Sequence, residues 1–310
     1  MDPNGLAGAT LMALTAITVV FYIYVIAIII LKKDLRSSPF YMLNVAMGIT
    51  DIGNILTTYI FQRIAGLGFL LNEFYMRFGS YSALAVFCTN GFAVFNNAQK
   101  YFLLAIGLNR FTAVVMPSIH QRIWKPKNCL LIIVVITALN LIPSVVMEII
   151  SRSYYVIEAC QILEIHVLNY NIYLSVAAAL FAFVLYAFII LSLLINRQKF
   201  KAASSHNKKS YSVELKLTMS VLLHSVLLSA DALTAAMIFI WKQRYFMQYN
   251  YVVQDLLSGC NPYLLLAFSS ELRKRVLWWK AKSSASIVSV GSSISPRVTK
   301  TNNVSRSRLA

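Results

Sequence analysis

Residues 105–124 read AIGLNRFTAVVMPSIHQRIW, and how the rest of the chain folds depends on what this stretch is. It starts as an apolar helix and reaches Asn109-Arg110 where the apolar run ends. It then meets Pro117 and continues into a basic loop with His120, Arg122, Lys125 and Lys127. A guanidinium keeps its charge under all physiological conditions. Arg110 therefore belongs at the rim of a membrane helix, followed by a short basic loop able to meet a partner.

Composition supports a membrane setting. The 310 residues are 58% hydrophobic and only 13% charged, whereas soluble domains are about half apolar and about a quarter charged. A crossing helix needs about 20 predominantly apolar residues. Seven such stretches are expected, at 11–31, 40–61, 80–115, 129–150, 171–195, 215–241 and 251–269. The expected class is an all-α membrane protein, a seven-transmembrane helix bundle. A net charge of +17 would suggest a nucleic-acid partner in a soluble chain. Here it reflects the Lys- and Arg-rich inner loops of membrane proteins, and no nucleic acid is expected.

The same charges set the expected orientation. With Lys32, Lys33 and Arg36 inside, seven crossings put 22 of the 28 basic residues on the inner side and five on the outer. That bias predicts the N-terminus outside and the C-terminus inside. No Lys or Arg precedes the first stretch and Lys32-Lys33 follow it, so it reads as an uncleaved span rather than a signal peptide. The expected organisation is an extracellular N-terminus at 1–10 and a seven-span domain at 11–269. An amphipathic inner-leaflet helix at 270–282 follows, with Leu272, Val276 and Trp279 on one side and basic residues around them. The remainder, 283–310, is a Ser-rich basic tail expected to be disordered. The Asn303-Val304-Ser305 sequon falls in that tail, where no glycan is expected.

Polar residues inside the spans are the candidate functional groups, because ionisable side chains in a bilayer are costly. Asp51 lies near the middle of span two, and Asn54 follows it. Asp51 is either an ion or water site joining spans two, three and seven, or a structural carboxylate satisfied by Asn261 or another interhelical donor. Span three carries Asn90, Asn96, Asn97, Gln99 and Lys100, so it must be central and shielded from lipid. Lys100 needs an acidic partner, with Asp51, Asp231 and Asp255 as candidates. Phe92, Ala93, Asn96, Asn97, Lys100 and Asp255 are the candidate ligand contacts. Asp51, Asn54, Asp231 and Asn261 are the candidate polar network.

Cys88 and Cys160 both fall toward the outer side and form either a disulfide or two free thiols, while Cys129 and Cys260 read as packing residues. Cysteines and histidines are too dispersed for a metal site, and no cofactor is expected. Residues 151–168 read as an outer loop and 196–214 as a short inner one. Pro143 is expected to kink or end span four, and Pro262 to bend span seven.

Seven spans, the Leu108-Asn109-Arg110 sequence closing span three and Asn261-Pro262 in span seven resemble G protein-coupled receptors. Ser38-Pro39-Phe40-Tyr41, Asp51 and Leu108–Val114 with Pro117, His120 and Trp124 are similar to the nematode serpentine chemoreceptors, in class gamma or class V of the gamma superfamily. The resemblance covers about residues 10–280. It implies a chemosensory receptor, not an enzyme, in the plasma or ciliary membrane of a sensory cell. Such a receptor binds a small molecule outside and activates a heterotrimeric G protein inside. Asn109, Arg110, Pro117, His120 and Trp124 would then serve coupling.

The chain departs from the wider receptor pattern in several places. Asn109 replaces the usual acid before Arg110. Tyr263 follows Pro262 directly. Span one lacks its usual mid-helix Asn, and span six has no proline. No Lys lies in 251–269, which excludes a retinal Schiff base there. A ligand-gated ion channel and a trafficking pseudo-receptor are the alternatives. The spans show no repeated polar ring of the kind a channel filter needs. Oligomeric state is not legible in the sequence.

Overall fold

The computed structural model describes residues 3–63, 83–153, 157–201, 205–241 and 245–276. These are helical except at joints of one or two residues. A helix occupies each expected span: Pro3–Leu31, Pro39–Thr57, Ala83–Val115, Pro126–Ser153, Ile157–Lys201, Ser205–Trp241, and Tyr245–Gly259 with Asn261–Phe268. Three short helices complete the described set, at Lys33–Arg36, Pro117–Ile123 and Ser270–Val276. Pro39, Pro117 and Pro126 each open a helix, the position where a missing N–H costs least. Span two continues into a π-helical turn at Thr58–Arg63.

Three helical stretches are apolar over a membrane-crossing length: Met12–Leu31, Tyr173–Ile195 and Leu215–Ile238. The pair Pro117–Ile123 and Pro126–Ile142, bent by 72°, makes a fourth if taken as one broken span. The remaining spans carry more polar residues, and much of that polarity is buried among helices. Leucines, isoleucines and phenylalanines such as Ile17, Leu131, Phe183 and Leu194 point outward, as lipid contact requires.

Several sequence expectations need correction. The outer loop at 151–168 is mostly helix: span four runs to Ser153 and span five starts at Ile157. No Gly or Pro lies between 144 and 201 to stop it. Likewise most of the inner loop at 196–214 is helical, because span five extends to Lys201 and span six begins at Ser205. Pro143 does not end span four. Pro262 does break span seven, which divides at Cys260.

Span three is the axis of the bundle, packed against spans two, four, five and six. Phe102, Leu103, Ala105 and Ile106 are buried there. Close approach depends on small residues. A Cβ on Gly53 would stand 2.5 Å from the Phe95 ring, so spans two and three meet there only because Gly53 has no side chain. A Cβ on Gly48 would reach Tyr22 and Ile26 of span one at 2.8 Å. On Gly259 it would find only Thr18 at an ordinary 3.5 Å.

Gly53→Ala should therefore destabilise the purified receptor by about 1–3 kcal/mol through overpacking, read as a lower thermal midpoint. Gly259→Ala should leave the midpoint unchanged or raise it. Equal effects at the two positions would refute the close approach.

Candidate functional site

Three polar clusters lie within the bundle. One is built on Asp51, which is fully buried. Tyr22 of span one donates its hydroxyl to Asp51 Oδ2 at 2.5 Å, and Gln99 of span three donates Nε2 to Oδ1 at 2.6 Å. Asn261 of span seven donates to the Tyr22 oxygen at 2.5 Å. Gln99 also reaches Ser258 of span seven at 3.2 Å, and Asn54 reaches the same hydroxyl at 3.1 Å. Four spans thus meet at one carboxylate. A lone charged Asp at the centre of a span costs about 2.5–3.5 kcal/mol. Hydrogen-bond partners on both oxygens offset much of the cost of burying the group.

Asp51, Asn54 and Asn261 come together, while Asp231, the fourth residue named for this network, stands with Lys100. Tyr22 is the addition. It is a hydroxyl in a helix without charged residues. A second link lies nearby: Tyr59 donates to Asp255 at 2.9 Å and accepts from Thr15 at 2.8 Å.

A second cluster holds Lys100, which is almost wholly buried. Among the three candidate acids, Asp231 of span six is the one whose charge acts on it. Gln254 of span seven acts on that carboxylate too. Asn96 and Asn97, one turn from Lys100, are buried too. Thr234, one turn beyond Asp231, donates to Asn250 of span seven at 2.8 Å. Ala93 is half-buried in the same helix. The side chains of Phe92, Cys88 and Cys160 lie outside the described ones, and so does the expected disulfide.

The third cluster surrounds Arg110, which is 5% exposed. Its guanidinium carbon lies over the Phe40 ring, 3.8 Å from the centroid. Tyr41, next to Phe40, hydrogen-bonds Ser269 at 2.7 Å, at the joint between span seven and the short helix Ser270–Val276. Asn109 is buried, and its Nδ2 has no acceptor among the described residues. Span five brings Tyr186 to the same region; its hydroxyl would stand 3.4 Å from a Cβ on Gly107.

Thr112 explains the spacing of the residues after Arg110. Its hydroxyl accepts from Trp124 Nε1 at 2.7 Å and lies 3.1 Å from His120 Nδ1. Pro117 starts the seven-residue helix that carries His120 back to Thr112. Trp124 is thus a buried anchor, whereas Ile119, Gln121, Arg122 and Ile123 are exposed. Beyond span seven, Leu272 is buried and Val276 packs against the core. Arg275 bridges Glu271 and Asp34, tying that helix to the turn after span one. Trp279 lies outside the described residues.

Residues 11–280 match the family model described as serpentine type 7TM GPCR chemoreceptor Srv. No curated protein matches the chain.

Tyr22→Phe should strip Asp51 of one donor and Asn261 of its acceptor. A loss of about 1–3 kcal/mol is expected for groups left unpaired in the interior. Thermal unfolding of the detergent-purified protein measures it. Tyr24→Phe, an exposed neighbour in the same helix, should not shift the midpoint.

Proposed function

The chain belongs to the Srv family of serpentine 7TM GPCR chemoreceptors, within the nematode gamma superfamily, and from that premise we propose a mechanism for it. It is a non-enzymatic receptor. The charge bias orients it with the N-terminus outside and the Arg110 cluster at the cytoplasmic face of a sensory cell's plasma or ciliary membrane. A small molecule enters from outside among spans three, five, six and seven, near Asn96, Asn97 and Lys100. It favours a state in which the inner ends of spans five and six move apart. Arg110 then meets the C-terminal helix of a G-protein α subunit, with Pro117–Ile123 presented beside it.

The observation that carries this reading is the stack of Arg110 on Phe40. In many receptors an acid beside the arginine restrains it, but this chain has Asn109 there. The Phe40 ring supplies a restraint of another kind. A buried cation–π contact contributes about 2 kcal/mol, which corresponds to roughly a thirtyfold bias toward the held state. That is strong enough to keep the receptor quiet and weak enough for ligand binding to overcome. Thr112, His120 and Trp124 act as positioning residues that keep the short inner helix against span three.

Arg110→Ala should abolish ligand-driven G-protein dissociation at matched surface expression; undiminished signalling would remove Arg110 from the mechanism. Phe40→Leu should raise ligand-independent signalling several-fold, up to roughly thirtyfold if the whole contact is lost. A fall in basal signalling would show that Phe40 supports the active state instead.

A further inference from the structure

The cluster around Lys100 has an imbalance that its own residues do not resolve. Among the described residues, the buried side-chain oxygens without any hydrogen-bond donor include Asn96 Oδ1, Asn97 Oδ1, Asp231 Oδ1 and Gln254 Oε1. Each of these four side chains is at least nine-tenths buried. They form one group. Asn96 and Asn97 sit one turn from Lys100 on span three, Asp231 acts on Lys100 from span six, and Gln254 acts on Asp231 from span seven. All four orphans are acceptors. Interior oxygens are rarely left without donors, because an unmade bond there costs the full desolvation of the group. What is missing at this place is a set of donors.

The charges narrow the choice. Lys100 and Asp231 are matched to each other. A carboxylate or phosphate ligand would bring more acceptors to a place already short of donors. An ammonium ligand would supply donors but would stand beside the Lys100 charge in a poorly screening interior. A neutral molecule with several donors meets neither objection.

We propose that the oxygens of Asn96, Asn97, Asp231 and Gln254 form the floor of the ligand site, and that its ligand is a small uncharged molecule presenting several O–H or N–H groups, as a polyol, sugar or primary amide does. This deepens the receptor reading and rests on it for the location of the site. Lys100 orients the floor through Asp231. Gln254 enters as a ligand contact from span seven, a role the sequence reading did not give it.

The test uses the full-length chain in lipid nanodiscs and follows its thermal midpoint. The probes are three size-matched sets at millimolar concentration: neutral (myo-inositol, glucose, N-acetylglucosamine, acetamide), anionic (small carboxylates) and cationic (small primary amines). The expected result is a rise in midpoint with at least one neutral probe and none with the charged sets. Asn96→Leu and Gln254→Met should weaken that probe's apparent affinity at least tenfold. If either fails to fold, Asn96→Ser, which shortens the acceptor without adding apolar bulk, should weaken it similarly. Stabilisation only by carboxylates or amines, a neutral-probe effect unchanged in the variants, or no effect from any set would overturn the proposal; the last outcome leaves buried water as the donor. G-protein dissociation driven by a complex odorant mixture separates this from the broader reading. If that signal persists and needs Arg110 while the probes fail, the receptor function stands and the proposed ligand class does not.

Discussion

The bundle depends on how one carboxylate is kept in a medium that does not solvate it. Asp51 is fully buried, so its oxygens are met by donors from other spans. Tyr22, Gln99 and, through Tyr22, Asn261 meet them. Non-polar contacts between membrane helices distinguish poorly between neighbours, since lipid tails are as apolar as leucine. A buried acceptor with fixed donors does distinguish them, because a rotated or shifted helix loses its bond. Gly48 and Gly53 allow the approach that brings those donors within range. The polar centre and the small residues therefore work as one arrangement: the glycines set the spacing, and the carboxylate sets the rotation.

From that centre the structure divides by charge type. Lys100 is balanced by an acid from another span, whereas Arg110 lies on an aromatic ring. The difference follows from the two cations. An ammonium is a compact point charge that needs a counter-charge or strong acceptors when buried. A guanidinium is planar and more weakly hydrated, so a ring face accommodates it. Asn109 stands before Arg110, and the Phe40 ring reaches the guanidinium from a different helix. The linkage runs further: Tyr41 joins the Phe40 region to Ser269, whose hydroxyl also accepts from the Leu272 N–H at 3.1 Å. The held arginine and the helix after span seven thus share a short chain of contacts.

Much of this was legible in the sequence, and the parts that were not have physical reasons. Apolar length revealed the spans because every crossing helix must satisfy the same thickness. Asp51, Asn54, Asn261, Lys100 and Asp231 stood out because polar groups are conspicuous in apolar runs. Which acid matches Lys100 did not follow, since three carboxylates lay at plausible depths and only packing chooses between them. Tyr22 was hidden because tyrosine counts as apolar in any length-based reading, although its hydroxyl is what Asp51 uses. Phe40 stood inside a recognisable motif, but nothing in a linear string shows that a ring before span two ends beneath an arginine seventy residues later. The contact of His120 and Trp124 with Thr112 is not legible in the sequence. The exposed side of their short helix is carried by Ile119, Gln121 and Ile123. The loop lengths were overestimated because polar residues were read as loop where no Gly or Pro interrupts the helix.

The separation of the clusters has an evolutionary consequence. Asn96 and Arg110 are fourteen residues apart on one helix, or ~21 Å at the α-helical rise. Substitutions near Asn96 and Gln254 can accumulate without disturbing the contact that holds Arg110. Changes at Tyr22, Asp51 or Gln99 have no such freedom, since each of these residues serves several helices together. Sequence divergence among related chains should therefore be greater near Asn96 than around Asp51.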